Sequence, residues 1–255
     1  MEIEFNDVGI TDEKITFKIS DNKIYSFIGN SKSIKHLIAS LIYDNSININ
    51  GSITKSSKIK IGYVKSPLYD NFNEKRVIDN FKRILNNTKY NVDKRIEESL
   101  KIVDINKDML KIKYDDLNYI ELKKISLALA LLNNPNVLIL EDYTEGLNNN
   151  DKAELSRLLR MLKNKYNKMI ILVSKDTDYC YTISDYIYLL DDKHIVKSGN
   201  KLILKDINLL KNLNLKIPDI IKFITEYKKH NSEFNDYNNI LDLIKAIYRD
   251  IGYKR

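Results

Sequence analysis

Alternating and continuous apolar segments along the chain predict two kinds of strand. "MEIEF" and "KITFKI" alternate apolar with polar residues, which is typical of strands with one face toward water. "KIYSFIG", "NPNVLILED" and "KMIILVSKD" are instead continuous apolar runs, which favour strands covered on both faces, as in a parallel sheet. "GSITKSSKIKIGYV" predicts two short strands around a polar turn, and "DYIYLLDDKHIVKSGN" predicts a hairpin.

Apolar residues at three- and four-residue spacing predict helices elsewhere in the chain. "KHLIASLIY" predicts a helix after the first buried strand, and "DKAELSRLLRMLKNKY" predicts one between the other two. The block from about residue 75 to 134 has helical periodicity throughout. Helical patterns return past residue 200, where Pro218 stands at a predicted helix start, a position that suits proline.

The order of these elements predicts an α/β fold with a mostly parallel sheet and covering helices. The fold class includes an antiparallel β subdomain and an inserted helical subdomain over about residues 75–134. We expect one domain over residues 1–200 and a helical C-terminal extension over residues 201–255. A chain of 255 residues is long enough to bury a sizeable core.

Composition narrows the class of protein without identifying a ligand. No window is apolar enough to span a bilayer, and the acidic start "MEIEFNDVGI" does not predict a secretory signal. The single cysteine, Cys180, excludes an internal disulfide framework and fits a reducing cytosol. The net charge of +7 accompanies abundant Asn, Lys, Ile and Tyr, a bias expected from AT-rich codons. We therefore interpret the charge as a lysine-rich surface and expect no specific nucleic acid partner.

The stretch "GNSKSIKH" has the outline of a phosphate-binding loop between a strand and a helix. A working loop, G-x-x-x-x-G-K-[ST], places glycine amides and the lysine on phosphates and the hydroxyl on Mg²⁺. Gly29 and Lys35 match, but Ile34 replaces the second glycine and His36 the hydroxyl residue. If the loop keeps its shape, Ile34 strains it and fills space near the phosphates. The candidate nucleotide-binding residues are Gly29, Asn30, Ser31, Lys32, Ser33, Ile34, Lys35 and His36, and the alternative is a plain strand-to-helix turn.

Further landmarks follow this loop in a recognisable order: "IGYVKSP", "DDLNYIELKKISLALALLNNPNVLILEDYTEGLN", "IILVSKD" and "DYIYLLDDKHIVKSG". Together they resemble the ATP-binding cassette (ABC) family over roughly residues 1–200. The strongest stretch, "LALALLNNPNVLILEDYTEGLN", is similar to the family's helix after the signature, its Walker B strand and its D-loop. The resemblance implies a P-loop NTPase-like nucleotide-binding domain, with ATP and Mg²⁺ as cofactors.

The C-terminal stretch "LNLKIPDIIKFITEYKKHNSEFNDYNNILDLIKAI" is similar to the tail of the energy-coupling-factor (ECF) subclass. Those ATPases serve vitamin and metal-ion importers. The resemblance implies a peripheral protein on the cytoplasmic face of the cell membrane, docked on a transmembrane transporter subunit. It also implies pairing with a second ABC ATPase subunit, which we expect to give a heterodimer.

Other motif positions depart from the family pattern. The Walker B strand ends in Glu141 and Asp142, where the family has an Asp for the Mg²⁺ shell and then a Glu for the attacking water. Lys175 follows the next strand, where the family has its switch histidine, and Ser66 lies nearest the Q-loop glutamine. The alternatives are two acids capping a strand end and a solvated lysine. The signature becomes Leu117, Asn118, Tyr119, Ile120 and Glu121, and the D-loop equivalent contains Gly146, Leu147 and Asn148.

These departures affect both halves of the composite site that two ABC subunits form. We expect Tyr119 and Ile120 to obstruct the approach of the signature to the partner's γ-phosphate. An aromatic residue for stacking on adenine is also missing near "DVGITDEK". Asp142, Glu141 and Lys175 are the candidate catalytic residues, and Glu141 the candidate Mg²⁺ ligand. Cys180, His194 and His230 lack the spacing of metal ligands.

The favoured hypothesis is an ECF-like ABC subunit of a membrane transporter, in an energy-coupling or structural role with reduced or lost ATP hydrolysis. The first alternative is a divergent but working ABC ATPase that powers transport. The second is a nucleic-acid-associated ABC-like protein that uses the basic surface. The sequence does not name the transported solute, because in this class the membrane subunits select it.

Overall fold

The computed structural model describes residues 1–9, 14–20, 22–44, 47, 49–86, 91–230, 235, 237 and 240–253. Residues 10–13, which belong to the stretch where the family has its adenine-stacking residue, lie outside the described residues. The same holds for the side chains of Lys32, Ser33 and His230 and for parts of the expected C-terminal extension.

Nine strands of the described chain form two sheets. A three-stranded antiparallel sheet has the order β2-β1-β4, and a six-stranded sheet has the order β5-β6-β7-β3-β8-β9. All neighbours in the larger sheet are parallel except β8 and β9, which form the predicted hairpin. The strands are β1 Glu2–Gly9, β2 Lys14–Ser20, β3 Ile24–Ile28, β4 Asn50–Lys55, β5 Ile61–Val64, β6 Val137–Glu141, β7 Met169–Ser174, β8 Tyr186–Leu190 and β9 Ile195–Gly199.

The helices lie where the apolar spacing predicts them, with one addition. The short helix α6 between β7 and β8 was not predicted. The helices are α1 Lys32–Tyr43, α2 Val77–Ile84, α3 Val92–Ile102, α4 Tyr119–Leu131, α5 Asn149–Tyr166, α6 Thr177–Ile183, α7 Ile207–Asn212, α8 Asp219–His230 and α9 Ile240–Tyr253. Pro218 directly precedes α8, and no described helix is both long and apolar enough to cross a membrane.

The core explains why three strands read as continuous apolar runs. Every residue of β3, β6 and β7 is buried, because these are the inner strands of the large sheet and helices or the smaller sheet cover both faces. One core cluster joins α2, α3 and α4 to one side of this sheet, and another joins α1 and the small sheet to the other side.

Gly62 shows how closely the helical block approaches the sheet. A Cβ at this position would lie 2.3 Å from the carbonyl oxygen of Ala130 in α4, so only glycine permits the contact. Gly62 therefore allows the backbones of β5 and α4 to meet.

Candidate nucleotide site

The candidate site lies at the edge of the large sheet where β3, β6 and β7 end. These strands are parallel neighbours, so the residues that follow them meet at one edge. Gly29 follows β3, Asp142 follows β6 and Lys175 follows β7. Gly29 N–H donates to the Ser174 carbonyl at 3.4 Å, which ties the first loop to the end of β7. Ligand sites of open α/β sheets form at this carboxyl edge.

The phosphate-loop stretch differs from the expected shape, because α1 already begins at Lys32. Ile34 and Lys35 therefore have helical backbone and do not belong to an extended loop. Ile34 is 2% exposed and packs into the core cluster that contains Ile38, so it does not fill space beside a phosphate. The expected strain at Ile34 does not arise, since its residue lies in a helix rather than in a glycine-type loop.

The N-terminal end of α1 keeps one property of an anion site. Ser31 stands at the N-cap but its side chain does not cap the helix, and the first turn contains no acidic residue. Backbone amides at a helix N-terminus attract anions, and the helix dipole adds to this attraction. Asn30 is exposed next to this end. The end of α1 therefore stays open to a negatively charged group.

Lys35 is turned away from solvent and paired with a carboxylate of its own chain. Its ammonium lies 3.3 Å from Asp142 Oδ1, and the two side chains are 1% and 4% exposed. An ionised pair at this depth is stable only when both partners stay in place. The lysine that would contact β and γ phosphates thus neutralises the carboxylate that would place the attacking water.

Asp142 is held by its backbone as well. Its φ angle is 42°, in the left-handed region that aspartate tolerates better than most residues. Its N–H donates to the Val173 carbonyl at 2.8 Å, so the residue after β6 is fixed against β7. The backbone at Asp142 is therefore fixed, while the contact with Lys35 holds its carboxylate.

His36 and Glu141 form a second pair beside the first. Nδ1 of His36 lies 3.0 Å from Glu141 Oε1, although the histidine is about half exposed and the glutamate is buried. Tyr63 donates its hydroxyl to Glu141 Oε2 at 2.6 Å, and the Ser66 N–H donates to the same oxygen at 3.3 Å. Burial and the bond to Glu141 raise the pKa of Tyr63, so its hydroxyl remains a donor.

The residues present do not fit a magnesium ion. Mg²⁺ requires hard oxygen ligands in near-octahedral geometry, whereas an imidazole suits softer metals. His36 stands in the sequence position of the hydroxyl ligand, and Glu141 already meets Tyr63, His36 and the Ser66 amide. Among the described residues no group of three or more His, Cys, Asp or Glu could hold a metal ion.

The signature-equivalent residues form a closed helix start. Asn118 accepts hydrogen bonds from the N–H groups of Ile120 and Glu121, both at 3.0 Å. Glu121 in return accepts from the Asn118 N–H at 2.9 Å, which completes a capping box. These amides already have partners, and the Glu121 carboxylate adds negative charge beside them. This end of α4 is therefore unsuited to a phosphate, while Leu117 packs against the core just before it.

The D-loop equivalent lies directly against α4. Tyr119 donates its hydroxyl to the Glu145 carbonyl at 3.2 Å. Gly146 has a φ angle of 73°, and a Cβ there would lie 2.7 Å from Tyr119 Cε1, so glycine is needed on both counts. Leu147 packs against the core, and Asn148 caps α5 by accepting from the N–H groups of Asn150 and Asp151.

Lys175 contacts this same segment. Its ammonium lies 3.1 Å from Glu145 Oε1, and both side chains are about half exposed. The hydrogen bond to Glu145 raises the pKa of Lys175. Lys175 thus lies at the predicted place, but its partner is a carboxylate of its own chain.

The structure gathers most of the predicted residues and adds three that the sequence reasoning missed. Lys35, His36, Glu141, Asp142 and Ser66 come together at the sheet edge, and the signature and D-loop equivalents meet beside them. The missed residues are Tyr63, Glu145 and Lys123, whose buried ammonium donates to the Tyr143 carbonyl at 2.7 Å. The sequence gives no signal that distinguishes Tyr63 among 17 tyrosines. The capping box of α4 could have been predicted, because Asn118 and Glu121 have the N-x-x-E spacing of that motif.

Comparison with known proteins gives a consistent result. The family model described as "ABC transporter" matches residues 13–145, which is more than half of the chain. The zinc import ATP-binding protein ZnuC of Buchnera aphidicola (subsp. Schizaphis graminum) is 28% identical over 215 residues, covering 79% of this chain and 83% of the relative. The energy-coupling factor transporter ATP-binding protein EcfA2 of Clostridium perfringens is 26% identical over 250 residues, covering 91% of this chain and 87% of the relative.

Solved structures agree on the fold. The cbiO1 protein of Clostridium perfringens, part of the ABC transporter complex cbiONQ, superposes with a TM-score of 0.69 at 19% identity, covering 88% of this chain and 98% of that one. The ATP-binding cassette MJ0796, in a dimeric post-hydrolysis state with ADP and Pi, gives a TM-score of 0.69 at 17% identity, covering 79% and 99%.

Proposed function

This chain belongs to the ABC transporter family, and on that premise we propose that it is an ECF-like ATP-binding-cassette subunit whose own ATP hydrolysis is lost or much reduced. In this proposal residues 1–200 are the cassette, with the helical subdomain at about 75–134, and residues 201–255 are the C-terminal extension. The chain docks on a transmembrane transporter subunit at the cytoplasmic face of the cell membrane. A second, more complete ABC ATPase completes a heterodimer.

The observation that carries the proposal is the pair of internal contacts at the sheet edge. Lys35 with Asp142 and His36 with Glu141 pair four residues at positions from which a working site directs side chains at Mg²⁺ and phosphate. Catalysis of phosphoryl transfer depends mainly on positioning and electrostatic stabilisation of these groups. A misplacement near 1 Å can cost about a hundredfold in rate, so groups committed to one another support loss of hydrolysis.

The capped end of α4 supports the same proposal from the other half of the site. In a dimer of cassettes each signature serves the nucleotide held by the partner. Here the amides of Ile120 and Glu121 bond to Asn118, and the Glu121 carboxylate opposes a phosphate. The chain would therefore weaken both composite sites of a dimer. Its ECF-like relatives support a role in coupling or assembly of a transporter.

Calorimetric titration of the purified chain with ATP, with and without Mg²⁺, tests the proposal. We expect weak binding that Mg²⁺ does not strengthen, and no hydrolysis above background. The double variant Lys35→Met with Asp142→Asn removes both charges together, and Lys94→Ala on the surface of α3 is the matched control. Tight Mg²⁺-dependent binding with hydrolysis that only the double variant abolishes would support a divergent working ATPase instead.

A further inference from the structure

We propose that Lys123 is a positioning residue that fastens α4 to residues 142–147 of its own chain, so that the helical block and this segment move as one body. Tyr119, Lys123 and Tyr143 together form what we call the Lys123 clamp. All contacts of the clamp lie within one chain, so the clamp does not depend on whether the chain hydrolyses ATP.

The centre of the clamp is a buried ammonium between two aromatic rings. Lys123 Nζ lies 4.7 Å from the ring centroid of Tyr119 and 4.9 Å from that of Tyr143. It donates to the Tyr143 carbonyl at 2.7 Å, and the Tyr143 hydroxyl donates to the Lys123 carbonyl at 2.9 Å. A reciprocal pair of hydrogen bonds with two cation–π contacts fixes both the distance and the orientation of α4.

Tyr119 extends the clamp to the next residues of the segment. Its hydroxyl bonds to the Glu145 carbonyl and its ring covers Gly146, where a Cβ would collide. Glu145 in turn pairs with Lys175 after β7. Contacts therefore run without interruption from the start of α4 through residues 143–146 to the end of β7.

Behind the clamp the packing between α3, α4 and α5 is incomplete. A cavity of about 150 Å³, partly open to solvent, lies there, and its lining combines apolar residues that include Ile102, Leu127 and Leu158 with charged residues such as Asp104 and Glu154. Side chains of α4 and α5 meet in one core cluster beside this space, but across the space itself there are few contacts to oppose a shift of α4 toward α5. The clamp therefore adds directional contacts that fix α4 on this side.

Burial of the Lys123 ammonium in the clamp is electrostatically unfavourable. Lys123 is only 2% exposed, and burial lowers its pKa to about 8, while the charges of Glu145 and Asp142 act in the opposite direction. Taking a charge out of water costs free energy, and even buried ion pairs can often be replaced by apolar residues with no loss of stability. A charged residue kept under these conditions fits a role in defining geometry better than a role in raising stability.

Spin labels across the cavity test the proposal. Exposed residues Glu98 on α3 and Arg157 on α5 are changed to cysteine and labelled, and the native Cys180 is fully buried. We expect a single narrow distance in the otherwise unchanged chain, with or without ATP. Lys123→Met should broaden the distribution or add a second distance, and raise amide hydrogen exchange of residues 143–147 at least tenfold.

Lys124→Met is the matched control, because the Lys124 ammonium bonds to the Asp104 carbonyl and not to the segment. It should leave distances and exchange unchanged. If Lys123→Met does not fold, Tyr119→Phe and Tyr143→Phe each remove one hydroxyl of the network and should broaden the distance distribution to a smaller extent. A narrow distance and unchanged exchange in Lys123→Met, or unchanged values in both tyrosine variants, would overturn the proposal.

Discussion

Two helices point their N-terminal ends toward the segment after β6, and each carries a buried lysine near that end. On α1, Lys35 meets the carboxylate of Asp142. On α4, Lys123 meets the Tyr143 carbonyl and two aromatic rings. The two helix starts also differ, because α1 lacks a side-chain cap whereas α4 has a complete capping box.

The difference teaches that the two helix ends beside this segment are organised in different ways. At α1 the helix end stays open to an anion, but the charges behind it are paired with each other. At α4 the helix end is closed by its own residues, and the lysine behind it donates to the Tyr143 carbonyl. Side-chain charges have internal partners at α1, whereas backbone amides have internal partners at α4.

The largest expected effect comes from breaking the Lys35 pair. Lys35→Ala leaves the Asp142 carboxylate buried without its partner, and removal of one member of a buried pair costs about 3–5 kcal/mol. Urea unfolding followed by circular dichroism measures the free energy of unfolding. The double variant Lys35→Met with Asp142→Asn should recover most of the loss, and equal losses in both variants would contradict the pairing.

The contribution of Lys123 to the free energy of unfolding should depend on pH, and the direction of this change follows from the burial of its ammonium. Burial lowers the pKa of Lys123 to about 8 from an ordinary 10.5, so the unfolded chain binds more protons between these values. The free energy of unfolding should therefore rise with pH across this window, by up to about 3 kcal/mol. Below pH 8 both states are protonated and this contribution no longer changes.

Lys123→Met lacks the titrating ammonium, so the difference in unfolding free energy between the wild-type chain and this variant isolates the contribution of Lys123. The wild-type chain should gain stability relative to the variant between pH 8 and 10.5 in denaturant titrations at successive pH values. A difference between the two proteins that stays constant over this range would show that Lys123 is not buried as described.

Substitutions at the N-cap residues of α1 and α4 should change the free energy of unfolding by smaller and unequal amounts. Asn118→Ala should cost about 1 kcal/mol of unfolding free energy, because it removes a side chain that accepts two amide hydrogen bonds. Ser31→Ala should cost less, since Ser31 makes no side-chain cap bond to α1 that the change could remove. Equal losses in thermal or urea unfolding would remove the contrast between the two ends.

Much of the fold was predictable, because burial leaves a direct mark on the sequence. The continuous apolar runs predicted β3, β6 and β7, all of which are fully buried, and the alternating runs predicted β1 and β2. The comparisons confirm the family assignment and the α/β fold. Short α6 has too few residues for a clear periodicity, so it was missed.

The internal pairs of the site could not be predicted in the same way. His36 and Glu141 are 105 residues apart, and their contact depends on how β3 and β6 flank β7. The early start of α1 was missed because the family's loop shape was assumed for "GNSKSIKH". Once Lys32 to Lys35 adopt helical backbone, Ile34 turns into the core and no strain remains.

The smallest expected effect tests the open end of α1 directly. Ser31→Asp would place a carboxylate at the uncapped start, and charges at a helix end change binding by about 0.3–1 kcal/mol, or roughly two- to fivefold. Calorimetry with tripolyphosphate at low salt and without Mg²⁺ measures the affinity. Asn118→Asp makes a similar change at α4 while keeping a good capping residue, and it should leave the affinity unchanged because those amides are already bonded. Equal weakening by both variants, or no binding by the wild-type chain, would show that α1 is no more receptive to anions than α4.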